Sequence, residues 1–415
     1  MHAQTPYPVA VVGAGAAGLL AALTAARTGA PVVLLERTRD GGRKILISGG
    51  GRCNILPSVA RPERYVTDSS PNTLRKMLLA WPLDEQWRFF EQELGMPLEL
   101  EPETGKVFPS SHRARDVRDG LIARVRESGA RIWLDAKVTD VVRAATPDGG
   151  GGAPWRVLVD GAPPLEVSAV VLATGGLSVP ATGSDGIGLA IARRLGHAVN
   201  PTYPALTPLT AAPHPHATLA GVSLAVTLRA PGARPAFETR NGFLFTHRGW
   251  SGPSVLDASH LAIRGRKDGS RQDLEVQWDD ADAAAWTTRL APSAGTVLNA
   301  VAAHLPRRLA EHLFDELGLA PDVALAQLRR EDRLALVGAL SAYTLPWTGD
   351  EGYRKAEVTG GGVALSEVHP RTLESRRAPG LFLCGEILDA FGPIGGHNFL
   401  WAWSTGRAAG AAAAR

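Results

Sequence analysis

Apolar positions crowd together at the start of the chain. Val9-Ala10-Val11-Val12 is a short unbroken run, Ala16 to about Thr28 is rich in Ala and Leu, and Pro31 to Leu35 is a second run closed by Glu36. Short apolar runs bounded by glycine predict buried strands, and the longer stretch between them predicts a helix that Gly29 stops. Between the first strand and the helix stands Gly13-Ala14-Gly15-Ala16-Ala17-Gly18. This is a βαβ unit with GxGxxG in the position that gives the pattern its meaning. The apolar stretch from Val9 to Ala26 lacks a basic leader and is interrupted by glycines at turn spacing, so it reads as a nucleotide fold rather than a signal peptide or membrane span.

The pattern then loosens. Thr38 to Pro57 mixes Gly, Ser, Arg and Lys with Ile45-Leu46-Ile47 and predicts a loop passing close to a ligand. Leu74, Leu78, Trp87, Phe90 and Leu94 recur at helical spacing between Ser70 and Gly95. Gly105 to Val117 predicts a turn and then a helix capped by Ser110 or Ser111, with His112 at its surface. Ala130 to Val142, Trp155 to Val159 and Leu165 to Ala173 predict strands, the first two flanking a four-glycine loop within Thr146 to Pro154, the last ending in Ala173-Thr174-Gly175-Gly176. Pro180 to Gly188 leads into a short helix, Leu189 to Leu195.

Near Gly196 the style changes. Pro201, Pro204, Pro208, Pro213 and Pro215 punctuate a linker, and Val222, Leu224, Val226 and Leu228 alternate with smaller or polar residues as in a strand. Asn241-Gly242 is the strongest short hairpin signal in the chain. Thr296 to Leu317 and Val323 to Ala342 read as amphipathic helices. The expected organisation is an α/β Rossmann-like domain in two parts, 1–195 and 347–415, split by an inserted α+β domain, 196–346.

The glycine positions explain themselves chemically. Gly13 permits the tight turn, Gly15 lets backbone approach a pyrophosphate, and Gly18 lets helix and strand pack closely, with Ala16 and Ala17 presenting N–H groups at the helix start. Glu36, eighteen residues after Gly18, is placed to accept hydrogen bonds from a ribose, with Arg37 beside it. In the loop, Arg43, Lys44 and Arg52 can neutralise phosphates, while Ser48 and Gly49-Gly50-Gly51 form a nest of N–H groups. Cys53 could face a redox centre or be plain core.

Composition narrows the class. The chain has 415 residues, 45% hydrophobic and 20% charged, with formal net charge +3 and pI near 9.0, which suits a soluble enzyme of at least two domains. Basic residues are scattered, so no nucleic-acid-binding arm is expected. Cys53 and Cys384 have no metal-ligand spacing, so no metal is expected, and a reducing cytoplasm is the natural setting. No second strand-GxGxxG-helix unit provides a separate NAD(P)H domain.

With the first βαβ unit, GRKILISGGGRCN, ATGG, FTHRGWSGP, VTGGGV and GEILDAFGPIGGHN all in place, the chain resembles the BaiN/YhiN-like, or aminoacetone-oxidase-like, bacterial FAD-binding flavoproteins along essentially its whole length. The resemblance implies a two-dinucleotide-binding-domain type of FAD fold. By position it implies Lys44 and Ser48 to Asn54 near the phosphates and flavin, Val138 meeting adenine through its backbone, and Thr174, Gly175 and Gly176 in support. It puts Gly385, Glu386 and Asp389 by the ribityl chain and phosphates, and Gly395, Gly396, His397, Asn398 and Phe399 by the flavin ring. His397 stands where the family more often has Tyr and is the first candidate for acid/base or carbonyl-polarising work, ahead of His247 and Arg52; a backbone role fits it equally.

The expected activity is an FAD-dependent oxidoreductase moving hydride through flavin N5, as an NAD(P)H-dependent reductase of an enone-type double bond. The residues leave open an oxidase of a small amine that makes hydrogen peroxide, and a non-catalytic, redox-responsive flavin protein. A small molecule is the expected partner, and neither a membrane nor an oligomeric state is indicated. His247 and Ser251 lack a GxSxG elbow and read as a turn and helix start.

Overall fold

The computed structural model describes residues 8–144, 155–267, 269–270 and 272–415, so the four-glycine loop lies outside the described residues. The chain divides into two compact units, one built from residues up to Thr202 together with Val358–Arg415, the other from Tyr203–Glu357.

The first unit is organised on a five-stranded parallel sheet. Strand β1 is Val9–Val12, followed by helix α1, Ala16–Ala26, and β2, Val32–Leu35. A short helix α2, Arg43–Ile47, precedes β3, Arg131–Trp133, β4, Ala169–Leu172, and β5, Leu381–Leu383. Helix α3, His397–Ala413, closes the chain. The spatial order is β5-β4-β1-β2-β3, with Val9 in register with both Val32 and Ala169. Every residue of β1, β2 and β4 is at most 5% exposed, as expected for parallel strands covered on both faces, each buried Val or Leu contributing roughly 1.5–3 kcal/mol.

Two predicted strands each prove to be two. Ala130 to Val142 splits into β3 and Val138–Arg143, and Leu165 to Ala173 splits into Leu165–Val167 and β4. The outer pieces, Val138–Arg143 and Leu165–Val167, flank Trp155–Val159 in a separate antiparallel sheet. Continuous apolar pattern does not reveal a change of sheet, because a bend costs no hydrophobicity. Residues 38–57 are more ordered than a loop, since Ile45 is buried and α2 forms around it. Lys106–Pro109 is a strand between Leu56–Pro57 and Leu98–Glu101, and the next helix begins at Ala114 rather than at a serine cap.

Helix α3 packs along α1, and glycine makes this possible. A Cβ on Gly406 would lie 2.4 Å from the Ala17 carbonyl oxygen, and one on Gly410 would lie 2.2 Å from that of Ala21. The two helices therefore approach backbone to backbone along their lengths.

The second unit is a seven-stranded sheet with helices. Phe237–Phe245 runs unbroken through Asn241-Gly242 and pairs with Ser223–Ala230, Asn241 opposite Val226. The expected hairpin turn is therefore strand interior; the connection falls at residues 231–236. Gly242 instead admits the start of helix Pro253–Lys267, where Ser254 Oγ donates to its carbonyl at 3.0 Å. The helix expected over Thr296 to Leu317 is two, Val297–Ala302 and Arg307–Leu317, separated at Pro306, which cannot continue a helix. Among the described residues no helix is long and apolar enough to cross a membrane.

Candidate functional site

The turn after β1 has the geometry that its glycines demand. Gly13 has φ +100° and donates to the Leu35 carbonyl at 2.8 Å. A Cβ on Gly18 would fall 1.8 Å from the Gly13 oxygen, whereas one on Gly15 would meet nothing within 4 Å. The space over Gly15, at the N-terminus of α1, is thus open where first-turn N–H groups have no helical partner. Glu36 is buried. Its Oε2 accepts from Ala14 N at 2.7 Å and its Oε1 from Thr38 N at 2.8 Å and Thr38 Oγ1 at 2.7 Å, which aims the carboxylate across the mouth of the turn. Ala136 N donates to the Glu36 carbonyl at 2.8 Å, so the segment leading to Val138 lies at this same end.

The cations of the next segment each have a partner within the protein. Arg43 pairs with Asp40 at 2.6 Å, Arg37 pairs with Asp185, and Arg52 lies 4.2 Å over the Phe108 ring while reaching Glu101 at 3.3 Å. Lys44 Nζ meets Glu386 Oε2 at 2.6 Å and Ser178 Oγ at 2.5 Å. These side chains find carboxylate partners within the protein because an arginine fork or ammonium left half-buried needs one. Gly49, Gly50 and Gly51 all have left-handed φ, and the turn is exposed. Ser48 Oγ donates to the Ile45 carbonyl at 2.8 Å. Cys53 is fully buried with its thiol pushed up to about 12 by burial; it packs, and the redox role does not fit it.

Glu386 joins the strand ends. Its Oε1 accepts from Ser178 Oγ at 2.6 Å and Thr359 N at 3.0 Å, and Thr359 Oγ1 in turn accepts from Leu177 N and Ser178 N at 2.7 and 3.1 Å. A Cβ on Gly176 would collide with the Thr359 hydroxyl at 2.4 Å, and one on Gly188 would lie 2.0 Å from Thr174 Oγ1, so Thr174-Gly175-Gly176 is a packing element. Gly385 is held from both sides, its N–H donating to Thr405 Oγ1 at 2.9 Å and its carbonyl accepting from Trp401 Nε1 at 3.1 Å. Ser178, Thr359, Trp401 and Thr405 were not singled out from sequence, because their spacing carries no signal. Asp389 is 1% exposed, accepts from Asp68 N, Ser69 Oγ and Asn200 Nδ2 at 3.0, 2.9 and 2.8 Å, and has its pKa raised by burial.

At the start of α3, Asn398 clamps Gly392 with two hydrogen bonds, accepting from its N–H at 2.9 Å and donating to its carbonyl at 3.0 Å. Asn54, with its amide oriented to satisfy both ends, accepts from Gly396 N at 3.2 Å and donates to Leu56 and Val107 carbonyls. Gly395 and Gly396 take φ +113° and +84°, and a Cβ on Gly396 would strike Leu56. Phe399 stacks on Trp403 with centroids 5.3 Å apart. His397 is 5% exposed, edge-on to Tyr65, whose hydroxyl donates to the His397 carbonyl at 2.7 Å. Its Nδ1 is buried and meets no hydrogen-bond partner among the described residues. Burial, then the charges of Arg64 and Arg61, push the ring down to about 3, so it is a neutral imidazole.

His247 belongs to the second unit, exposed at the turn before Gly249–Ser251. That unit contains a polar cluster running from buried His216 through half-buried His312 to exposed Glu316, which no spacing in the sequence signals. His216, His312 and Glu316 offer ligand-type atoms within 4.8 Å of one another. Trp250 Nε1 donates to His216 Nδ1 at 3.0 Å. The proton must then sit on Nε2, which donates to Tyr343 Oη at 2.9 Å, and Tyr343 donates to Glu316 at 3.1 Å, with His312 Nε2 3.2 Å from the same carboxylate. This directed chain leaves no lone pair on His216 for a metal. Burial works to raise the Glu316 pKa, but hydrogen bonds and charge from His216 and His312 outweigh it and bring it down to about 2.

Three features of the first unit fit a dinucleotide with a redox ring: the open cradle over Gly15, Glu36 at the end of β2, and the orphaned Nδ1 at the start of α3. A split Rossmann domain of this kind defines an FAD-dependent oxidoreductase. Residues 7–412 match the HI0933-like protein Rossmann domain, and the chain belongs to that family. It is 34% identical over 404 residues to the ribosomal RNA dihydrouridine synthase of Escherichia coli K12, covering 96% of both chains. It is 31% identical over 416 residues to the 3-dehydro-bile acid delta(4,6)-reductase of Clostridium scindens, covering 98% of both. Among solved structures, 3-ketosteroid delta1-dehydrogenase from Sterolibacterium denitrificans shares the fold at TM-score 0.52 and 13% identity, over 98% of this chain and 99% of that one.

Proposed function

We propose that this enzyme reduces a carbon–carbon double bond conjugated to a carbonyl, with NAD(P)H as electron donor and the uracil ring of a ribosomal RNA as acceptor. One observation carries the reading. The names of two relatives that align along the whole chain, a dihydrouridine synthase and a delta(4,6)-reductase, describe the same chemistry on different rings. Uridine becomes dihydrouridine by saturation of C5=C6, a double bond conjugated to the C4 carbonyl. The scattered basic residues argue against nucleic acid, but the relatives' names weigh more, since a base can be read with few charges.

Bound FAD supplies the hydride. In this reading Gly13, Gly15 and Gly18 with the start of α1 hold the pyrophosphate, Glu36 the ribose, and the 395–399 segment the flavin end, while the Lys44–Glu386–Ser178–Thr359 network fixes the loops around them. His397 stays neutral, so it does not donate a proton as an imidazolium. In this reading its ring, at the flavin end of the site, polarises the acceptor's carbonyl oxygen. His247 is exposed on the second unit, and Arg52 pairs with Glu101 and lies over the Phe108 ring.

Two measurements test this. The purified flavoprotein, reduced anaerobically by NADH or NADPH, is mixed with a uridine-containing RNA and separately with a small enone; reoxidation of the flavin and dihydrouridine in the digested RNA are expected. Peroxide formation with small amines, and no reoxidation by any enone, would instead establish an oxidase. His397→Gln is expected to lower turnover about 100-fold with FAD affinity retained.

A further inference from the structure

We propose that Lys106 is the proton donor of the reaction, its ammonium delivering a proton to the carbon next to the acceptor's carbonyl as hydride adds to the other end of the double bond. The assignment rests on the double-bond reduction proposed above and names the acid that this reaction needs.

Lys106 opens the middle strand of a small antiparallel sheet, Lys106–Pro109, with Pro57 opposite it on one side and Glu101 on the other. Directly opposed residues share a face of the sheet, so a lysine across from a glutamate is placed to close an ion pair. Here the glutamate is already occupied. Arg52 reaches its Oε1 at 3.3 Å and Thr104 Oγ1 donates to its Oε2 at 2.5 Å, and Lys106 contributes only its field. Among the described residues the half-buried Lys106 ammonium meets no ion-pair or hydrogen-bond partner, in contrast to Lys44, Arg43 and Arg52.

The lysine stem lies against the turn that opens α3. A Cβ on Gly395 would stand 3.9 Å from Lys106 Cγ, 3.9 Å from His397 Cδ2 and 4.0 Å from the Asn54 amide, with nothing nearer. The room over Gly395 is therefore bounded by lysine, imidazole and amide, and Cδ2 belongs to the ring edge away from the buried Nδ1. Gly396 rests on Leu56 and Pro57, which holds the turn against the lysine's own sheet. The other protic groups at this turn are spent. Tyr65 donates to the His397 carbonyl, Asn54 to the Leu56 and Val107 carbonyls, and Asn398 to Gly392, while the His397 ring is neutral.

Saturating the double bond takes one hydride and one proton. For a uracil ring the hydride, drawn in the end from NAD(P)H, forms the new bond at C6. The C5=C6 electron pair shifts toward the C4 carbonyl and returns to C5 as that carbon takes a proton from Lys106 Nζ. The amine left behind regains a proton from water, so each turnover consumes NAD(P)H and one proton and releases NAD(P)+.

The test uses the full-length FAD-loaded protein, reduced by NADH or NADPH and mixed anaerobically with 2-methylcyclohex-2-enone, whose product is chiral at the carbon that takes the proton. Wild-type protein is expected to give one enantiomer. Lys106→Arg keeps the charge, but a guanidinium does not surrender its proton; Lys106→Ala leaves the place open. In both, reoxidation by the enone is expected to slow about 100-fold and the product to become a mixture of enantiomers, while FAD binding and bleaching by NAD(P)H stay at wild-type values. Added methylamine is expected to restore the rate of Lys106→Ala, which a purely structural lysine does not allow, and Lys106→Arg decides alone where Lys106→Ala fails to hold FAD. An unchanged enantiomer ratio in the variants, whatever their rate, overturns the assignment and leaves the double-bond reduction standing. Wild-type protein that is bleached by NAD(P)H and reoxidised by no enone overturns both.

Discussion

Two of the buried histidines are held in opposite ways. His216, in the second unit, uses every polar atom: Trp250 donates to one nitrogen, the other donates to Tyr343, and the chain ends on Glu316. His397, in the first unit, is buried as deeply, yet Nδ1 meets nothing. A satisfied buried histidine is a joint between elements, here the 214–219 segment, helix Arg307–Leu317 and strand Tyr343–Thr344. An unsatisfied one costs free energy in the isolated protein and is retained where a ligand repays it. A missing partner does not mark a site by itself, since Gln86 Oε1, His214 Nδ1 and Gln272 Oε1 lack one too; at His397 it coincides with the start of α3.

Four outcomes would break or sharpen this contrast, beginning with the largest. His216→Leu strands the Trp250 N–H and the Tyr343–Glu316 pair and is expected to cost about 3 kcal/mol by chemical denaturation, with the flavin absorbance unchanged. A cost below about 1 kcal/mol would mean the chain of donors is not a joint. Next is the acid side of the stability curve. Both rings are buried neutral, so their native pKa lies below the ordinary 6.5, to about 3 for His397. As pH falls below 6.5 the unfolded chain takes up a proton that the native ring refuses, so stability is lost from 6.5 down to the native value, at up to about 1.4 kcal/mol per pH unit for each ring. Glu316 adds a second window, its stabilisation being present above 4.5 and lost as pH falls to about 2. Phenylalanine at 397 should remove one histidine's share of the slope; an unaltered profile would contradict the neutral ring.

Tyr65→Phe deletes the bond to the His397 carbonyl and is expected to cost about 1 kcal/mol. The smallest stability effect is expected from His397→Phe itself, within about 1 kcal/mol, because it removes an unpaired buried atom along with the ring nitrogen. Its turnover should nevertheless collapse, the reverse of His216→Leu. Equal losses of stability in the two variants would erase the distinction.

Much of the first unit was legible in the chain because local geometry forces its residues. GxGxxG between an apolar strand and a helix admits few other structures, and Glu36 at the end of the second strand follows from strand length. Asn241-Gly242 misled for the converse reason. The dipeptide favours a turn, but pairing of Ser223–Ala230 along the whole of Phe237–Phe245 outweighs a local preference worth little. Apolar runs likewise concealed the change of sheet near residues 134–137 and at Ser168.

The segment at the start of α3 was recognisable as GGHN, and its histidine's state was not. Sequence carries the backbone's needs, such as glycine where φ is positive or where Gly406 and Gly410 must touch Ala17 and Ala21, since those needs exclude other residues. It does not carry the pairing of side chains from distant positions. Lys44 with Glu386, Arg52 with Glu101 and the unpartnered His397 Nδ1 arise only when segments distant in the chain meet, because charge and hydrogen-bond partners are chosen by proximity in space.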